Sequence, residues 1–249
     1  MGKIQDAHEA DTNAVSFAGG SNHVVYSASD DGILKVWDRR ILDESHPLPV
    51  SVFVGHGHGI TYLDSKGDFR YIITNSKDQT IKLWDTRHPS SQSDIPSVIE
   101  TVKSNSTSWD YRNYDRRMMN LRDQQKDDSV KTYSGHLVNR TLIRARFSPE
   151  FSTGQKYIYT GSGDGNVLVY DVLSGEKVYP QPQGGGVDYI WNHKSVVRDV
   201  SWHPYEPFIL SSSFDNTIGC VTMERFQSVF LSNHFDIILD EGDDDDYSS

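Results

Sequence analysis

The amino-acid sequence predicts an all-β fold built from repeated antiparallel sheets. Two segments, Lys35–Arg40 and Lys82–Arg87, carry the same pattern, in which an apolar strand ends in Trp-Asp-x-Arg, and their tryptophans lie 47 residues apart. Short apolar runs separated by turn pairs such as Asp31-Gly32 and Asp164-Gly165 are typical of antiparallel meanders. A repeat of this length, with several short strands in each unit, indicates the blades of a β-propeller.

The same frame of residues recurs four times along the chain. Each copy places a histidine first, then a hydroxyl residue, then a turn aspartate, ahead of the strand that ends in Trp-Asp. Tyr170-Asp171 replaces Trp-Asp in the third copy, and Val221-Thr222 stands there in the fourth. The frame residues are His8, Ser27, Asp31, His56, Thr74, Asp78, His136, Thr160, Asp164, His193, Ser211 and Asp215. This pattern resembles the WD40-repeat family.

The resemblance implies that each frame is a buried hydrogen-bond relay with a structural role. A buried polar group without a partner costs about 1 to 3 kcal/mol, so residues that can pair with each other are expected to recur together. We place the repeat domain at residues 1–225, with blades near 8–54, 55–100, 133–190 and 191–225. WD40 propellers usually close with about seven blades, within a range of roughly four to eight. We therefore expect these four blades to be the C-terminal part of a larger propeller.

Two segments fall outside the repeat. An insertion of about residues 88–132, rich at first in Ser, Pro, Asn and Thr, is expected between the second and third blades. It contains Trp109-Asp110-Tyr111-Arg112, which we discount because no turn aspartate and no apolar strand precede it. Residues 226–249 form a C-terminal extension that ends in an acidic run, Asp240–Asp246, and this run is expected to be solvated.

Composition limits the classes of function. The chain has 249 residues, 36% of them hydrophobic, which is enough to bury the core of one domain. A net charge of -11 argues against a general nucleic-acid-binding surface. The single cysteine, Cys220, excludes an internal disulfide and agrees with a reducing compartment. We expect a cytoplasmic or nuclear protein, or both, with no membrane association and no cofactor.

The two Trp-Asp-x-Arg motifs are the best candidate for a functional site. The third strand of a blade ends on the side opposite the histidine loop, so Arg40 and Arg87 are expected on one rim of adjacent blades. Two guanidiniums placed in this way could make bidentate bonds to carboxylates or carbonyls of a partner, with Asp38 and Asp85 orienting them. The alternative is that each arginine is a solvated rim residue.

The chain also resembles a narrower family, that of WD-repeat protein 23, over roughly residues 8–221. The segments that carry this resemblance are the two motifs together with Gly59–Thr61, Asp64–Asp68, Asn75–Asp85, Thr141–Arg144, Arg146–Pro149 and Val197–Pro204. The resemblance implies a substrate receptor that docks on damaged-DNA-binding protein 1 of a cullin-4 RING ubiquitin ligase and presents proteins for proteasomal degradation. That family is associated with turnover of stress-response leucine-zipper transcription factors, so the resemblance implies a substrate of this kind. The residues expected to dock on the linker protein are Trp37, Asp38, Arg40, Trp84, Asp85 and Arg87.

Other functions remain open at this point. A WD40 scaffold unconnected with cullin-4 would bind proteins through the insertion or the channel-facing loops. An enzyme is disfavoured, because His56-Gly57-His58 lacks a third metal ligand at suitable spacing and His56 belongs to the blade frame. A substrate with an acidic segment could meet Arg140, Arg144 and Arg198 near the histidine loops, although arginines also occur there as packed side chains.

Overall fold

Four antiparallel sheets follow one another along the chain, which a computed structural model describes over residues 3–20, 22–43, 47–107, 126–179 and 193–222. The first blade contains β1 (Thr12–Phe17), β2 (Val24–Ser29), β3 (Leu34–Asp38) and β4 (Ser51–Phe53). The second contains β5 (Ile60–Ser65), β6 (Tyr71–Ser76), β7 (Thr80–Asp85) and β8 (Lys131–Ser134). The third contains β9 (Ala145–Phe147), β10 (Tyr157–Gly161), β11 (Val167–Asp171) and β12 (Lys177–Tyr179). The fourth contains β13 (Val197–Trp202), β14 (Phe208–Ser213) and β15 (Ile218–Thr222). The all-β prediction is confirmed.

The turn between the second and third strands is the same in all four blades. The residue after the turn aspartate has a positive φ each time: 78° at Gly32, 71° at Gln79, 91° at Gly165 and 66° at Asn216. Glycine adopts this conformation without strain, whereas a side chain there costs about 1 kcal/mol or more. The aspartate compensates by accepting a backbone hydrogen bond two residues on, as in the 3.0 Å bond from the Ile33 amide to Asp31.

The core lies between successive blades. Tyr26 and Phe53 of the first blade pack with Ile72 and Trp84 of the second, and equivalent clusters join the second blade to the third and the third to the fourth. Each middle blade therefore buries both sheet faces. The blades stack side by side. The third strand of each blade therefore ends on the same face of the molecule.

The stack has two faces, one at each end of its strands. The His-loop face holds the histidine loops and the turns that contain Asp31, Asp78, Asp164 and Asp215. The rim face is the opposite end, with the loops that join the first strand to the second and the third strand to the fourth. In the second blade these two loops touch, since the Thr86 amide donates to the Arg70 carbonyl at 2.9 Å.

The insertion differs from its sequence-based description in two ways. The sequence places it between blades, but β8 pairs with β7, so the insertion lies within the second blade, between its third and fourth strands. It also contains a 3-10 helix (Gln92–Asp94) and an α-helix, α1 (Ile95–Thr107). Val98 and Val102 of α1 pack against Val52 and Val54 of the first blade. A second helix of one turn, α2 (Glu150–Thr153), lies on the rim face of the third blade.

The last strand forms without the expected Trp-Asp pair. Val221 and Thr222 continue the backbone ladder of β15, with Val221 opposite Ile209 and Thr222 opposite Phe208. The C-terminal extension, the acidic run and Trp109–Arg112 lie outside the described residues. None of the helices in the described part of the chain has the length and apolar character needed to cross a membrane.

Candidate functional site

The histidine relay of the first blade joins four side chains. His8 Nδ1 lies 2.9 Å from Asp31 Oδ2, and its Nε2 lies 2.7 Å from Ser27 Oγ. Trp37 Nε1 donates to the same hydroxyl at 2.8 Å. Burial alone would raise the pKa of Asp31, but the interactions with His8 and the hydrogen bonds from the Ile33 and Glu9 amides together outweigh that effect, and the pKa lies below its usual value. The relay therefore ties Trp37, the residue before the last of β3, to the histidine loop and the turn that contains Asp31.

The second blade repeats this relay closely. His56 lies 2.8 Å from Asp78 and 2.7 Å from Thr74 Oγ1, and Trp84 Nε1 donates to Thr74 Oγ1 at 2.8 Å. Burial would raise the pKa of Asp78, yet the interactions with His56, Thr80 and Lys82 together lower it. The two blades that end in Trp-Asp-x-Arg are thus the two in which a buried tryptophan anchors the third strand.

The fourth blade keeps only the histidine part of the relay. His193 Nε2 lies 2.8 Å from Ser211 Oγ, and its Nδ1 lies 3.1 Å from Asp215. Thr217 Oγ1 also lies 3.0 Å from Nδ1.

The structure does not join the three predicted frame residues of the third blade. His136 Nε2 lies 2.8 Å from Asn75 Oδ1 of the second blade, and its Nδ1 lies 3.4 Å from the Tyr170 hydroxyl. Thr160 donates to the carbonyls of Arg144 and Gly161 instead of reaching the histidine. Asp164 accepts from the Asn166 amide. The physical reason is that Tyr170 replaces tryptophan and brings its own hydroxyl to His136.

The first candidate docking turn follows β3. Asp38 Oδ1 accepts from the Arg40 amide at 2.9 Å and from Arg40 Nε at 3.0 Å, while Oδ2 accepts from Nη2 at 2.6 Å. The hydrogen bonds from Arg40 lower the pKa of Asp38 to about 2. The Arg40 side chain is 62% exposed, and its Nη1 group makes no hydrogen bond with the described residues. The aspartate therefore holds the guanidinium in one plane and leaves donors free for a partner.

The second docking turn has the same geometry. Asp85 Oδ1 accepts from the Arg87 amide at 3.1 Å and from Nε at 3.0 Å, and Oδ2 accepts from Nη2 at 2.7 Å. Arg70 Nε adds a bond to Asp85 at 3.2 Å. The hydrogen bonds from Arg87 lower the pKa of Asp85 below its usual range. The Arg87 side chain is 56% exposed.

The docking rim, defined as the turns Asp38–Arg40 and Asp85–Arg87, is thus a pair of matching sites. Both turns follow the third strand of adjacent blades, so both guanidiniums emerge on the rim face. Trp37 and Trp84 are buried beneath the turns and support them without facing a partner. The arrangement has the chemistry of a recognition surface for carboxylates or carbonyls.

The three arginines expected near the substrate occupy different environments. Arg144 pairs with Asp199 at 2.8 Å, Arg198 is exposed on β13, and Arg140 has a left-handed φ of 61° in the loop before β9. Among the described residues, these three side chains share no hydrogen-bond or ion-pair partner, so they do not form a single cluster. Arg144 instead belongs to a cluster that spans three blades.

This cluster includes residues that sequence reasoning missed. The guanidiniums of Arg144 and Arg146 lie 5.5 and 5.4 Å from the ring centroid of Tyr62, and Arg146 lies 3.6 Å from Asp199. Arg146 lies in β9 and Arg144 directly precedes that strand, so the alternation of an extended chain places the two side chains on one side. That spacing is the signal in the sequence that could have indicated Arg146. We call Tyr62, Arg144, Arg146 and Asp199 the inner-strand cluster.

The chain matches the family model described as WD domain, G-beta repeat, over residues 2–38, 48–85, 127–171 and 188–220, which is more than half of its length. A "DDB1- and CUL4-associated factor 11 homolog" of Caenorhabditis briggsae is 42% identical over 97% of this chain and 42% of that protein. The protein of the same name from Caenorhabditis elegans is 43% identical over 97% of this chain and 40% of that protein. The "LEC14B protein" of Lithospermum erythrorhizon is 48% identical over 85% of this chain and 42% of that protein.

The chain therefore spans about two-fifths of the length of these curated relatives. Each of the first three matched segments contains the first three strands of one sheet, and the fourth covers β13, β14 and the start of β15. The fourth strands β4 and β8 fall in the segment after their own sheet, so the sequence repeat is offset from the sheet by one strand. From the repeated sheets and the matched segments together, the chain belongs to the WD40-repeat family.

Proposed function

We propose that this chain is part of a substrate receptor of a cullin-4 RING ubiquitin ligase and that the docking rim binds the linker protein, damaged-DNA-binding protein 1 (DDB1). The observation that carries the proposal is the repeated geometry of Asp38–Arg40 and Asp85–Arg87 in adjacent blades. The names of the Caenorhabditis relatives state an association with DDB1 and CUL4, which supports the choice of partner.

Preorganisation explains why such a rim would bind well. A free arginine side chain loses rotamer freedom when it binds, at a cost of about 0.5 to 1.5 kcal/mol per immobilised side chain. Asp38 and Asp85 already fix Arg40 and Arg87 before a partner arrives, so much of this cost is avoided. Charge-assisted bonds from the remaining N–H groups would then contribute to affinity and orientation.

The test measures binding of purified DDB1 to the chain by biolayer interferometry. Replacing both arginines (Arg40→Ala with Arg87→Ala) should weaken binding by more than about tenfold, as expected for interface hot spots. Arg140→Ala with Arg198→Ala is the matched control, because it removes the same charge from two exposed arginines away from the rim, and it should leave DDB1 binding unchanged. Circular dichroism checks that every variant keeps its β-sheet signal.

Two results would count against this role. If the folded wild-type chain does not bind DDB1, the alternative of a WD40 scaffold unconnected with cullin-4 replaces it. If the double variant binds as well as wild type, the docking rim is not the contact surface.

The substrate would be bound away from the rim, on the His-loop face and the adjacent inner strands. Arg140, Arg144 and Arg198 favour an acidic segment, since Arg140 and Arg198 are exposed and Arg144 lies beside Arg146, with Asp199 as the ion-pair partner of both. Arg144→Glu should abolish binding of a fluorescent acidic peptide while leaving DDB1 binding unchanged. In this role the chain is a non-catalytic adaptor that positions a protein for ubiquitylation.

A further inference from the structure

A third Asp-anchored turn lies on the rim face, and it carries a leucine where the first two carry arginine. Asp171 ends β11 and accepts from the amides of Leu173 at 2.9 Å and Ser174 at 2.8 Å. Leu173 follows Asp171 by two residues, as Arg40 follows Asp38 and Arg87 follows Asp85. Its side chain is 82% exposed. The same backbone device therefore holds an apolar side chain out into solvent.

This turn is fixed to the rest of the fold. The Val172 carbonyl accepts from the Tyr133 hydroxyl at 2.8 Å, and the Val172 amide donates to the Lys156 carbonyl at 2.9 Å. The Lys131 ammonium also donates to the Leu173 carbonyl. Because Tyr133 and Lys131 belong to β8, the turn is tied to the second blade as well as the third. Leu173 is thus held in place before any partner binds.

Two exposed aromatic side chains lie on the same face. Phe151 comes from α2, in the loop between the first and second strands of the third blade, and Tyr205 comes from the corresponding loop of the fourth. They are 73% and 61% exposed, and their ring centroids lie 4.8 Å apart in an edge-to-face arrangement. Large apolar groups that remain exposed in a fixed arrangement are typical of interaction surfaces.

The His-loop face exposes fewer large apolar side chains than the rim face. Among its described loops and turns, Phe214 is the one large apolar side chain that is exposed. On the rim face, by contrast, Ile41 and Phe69 add to the exposed apolar groups already described. Apolar exposure is therefore concentrated on the face that also carries Arg40 and Arg87.

We infer that the rim face binds its partner through a composite surface, in which Leu173, Phe151 and Tyr205 form an apolar patch beside the two guanidiniums of the docking rim. The partner surface would match it with an apolar depression flanked by carboxylates or carbonyls. This inference rests on the proposed function, and the occupant is the linker protein DDB1. The patch extends the contact from the first two blades to the third and fourth.

The test compares DDB1 affinities of patch variants with the wild-type chain. Leu173→Asp should weaken binding by about tenfold or more, because a charge then replaces an apolar contact. Leu173→Arg should also weaken it, although it creates a third Asp-x-Arg turn. Phe151→Ala with Tyr205→Ala should weaken it by a similar factor. Phe214→Asp, on the opposite face, is the matched control and should stay within about twofold of wild type.

The outcomes separate this inference from the proposed function. If Arg40→Ala with Arg87→Ala loses binding while the Leu173 and aromatic variants bind as wild type, the apolar patch is refuted and the docking rim stands. Tighter binding by Leu173→Arg would also refute it, because the partner would then be acidic at the third turn. Absence of binding by the folded wild-type chain would overturn both. Circular dichroism of each variant checks for unfolding, and the Leu173 variants should stay folded because Leu173 is 82% exposed.

Discussion

At the residue scale, one hydroxyl group satisfies two buried ring nitrogens in the second blade. Thr74 Oγ1 accepts from Trp84 Nε1 and lies 2.7 Å from His56 Nε2. Thr74→Val keeps the shape of the side chain and leaves both nitrogens without this partner. We expect a loss of about 2 to 4 kcal/mol in the free energy of unfolding, since each buried unsatisfied group costs about 1 to 3 kcal/mol. Urea denaturation of the wild-type chain and the variant measures this loss in the free energy of unfolding.

Thr160→Val is the matched control for that prediction. Thr160 is equally buried and stands at the same frame position in the third blade, but its hydroxyl donates to backbone carbonyls at 3.0 Å. Its replacement should lower the free energy of unfolding by about 1 kcal/mol, the net value of one hydrogen bond. Equal losses in the two variants would mean that the relay of the second blade has no special stabilising role.

His58 gives the fold a pH dependence of known sign. Burial, with a smaller contribution from Lys77, lowers the pKa of His58 to about 4, and its Nδ1 accepts from the Gly59 amide at 2.7 Å. Between pH 6.5 and 4 the unfolded chain binds a proton there that the folded chain does not. Stability from this residue is therefore complete above pH 6.5 and falls as the pH approaches 4, by about 3 kcal/mol at most.

The measurement is the free energy of unfolding as a function of pH for wild type and His58→Asn. Asparagine keeps an acceptor near the Gly59 amide and does not titrate. We expect the wild-type curve to fall more steeply than the variant curve between pH 6.5 and 4. Parallel curves across that interval would show that His58 does not change its proton binding on unfolding.

Spacing in the sequence predicts residues that interact within one blade, and it predicts less well those that interact between blades. The relays of His8 and His56 follow from offsets that repeat, because every blade has the same internal register. The bond between His136 and Asn75 depends on how two blades pack. So does the contact of Arg146 with Tyr62. No repeated offset encodes such contacts.

At the element scale, α1 is the part of the fold that the amino-acid composition did not predict. Its flanking residues are rich in Ser, Pro and Asn, which indicate a loop. Yet Ile95, Val98, Ile99 and Val102 follow the i, i+3, i+4, i+7 spacing of an amphipathic helix. The helix packs on the first blade, while its neighbour Ser90 bridges to Val52 and accepts from the Val54 amide at 3.0 Å. The insertion thereby covers the outer edge of β4, an edge that would otherwise be open to pairing.

Weakening the contact of α1 should therefore expose β4. Val98→Ala with Val102→Ala removes two buried side chains, at about 1 to 2 kcal/mol each. We expect the amides of Val54 and Ser90 to exchange with solvent at least about tenfold faster, because 1.4 kcal/mol corresponds to a factor of ten in the opening equilibrium. Hydrogen exchange followed by NMR or mass spectrometry measures this.

Glu100→Ala is the control on the same helix, because Glu100 is exposed and alanine preserves helix propensity. Its exchange pattern over β4 should match wild type. Should the valine variants leave protection of Val54 unchanged, the edge of β4 would be protected by its own blade alone.

At the scale of the whole molecule, one apolar sheet face is covered by the next blade in the second blade and is exposed in the fourth. Ile73 and Ile81 of the second blade are fully buried against the third. Leu210 corresponds to Ile73, because each directly precedes the hydroxyl residue of its frame. Ile218 corresponds to Ile81, because each follows the turn aspartate by three residues. Leu210 and Ile218 are 48% and 75% exposed, and no further sheet of the described residues packs on them.

An apolar sheet face of this kind should drive association between copies of the chain. We expect sedimentation velocity to detect concentration-dependent self-association of the purified chain. Leu210→Lys with Ile218→Lys should weaken it by at least about tenfold, because two charges would have to be buried in the contact. Ser134→Lys with Ser201→Lys adds the same charge at exposed positions elsewhere and tests whether net charge alone is the cause. A monomeric wild-type chain at all concentrations, or equal weakening by both pairs, would mean that the Leu210 face does not mediate association.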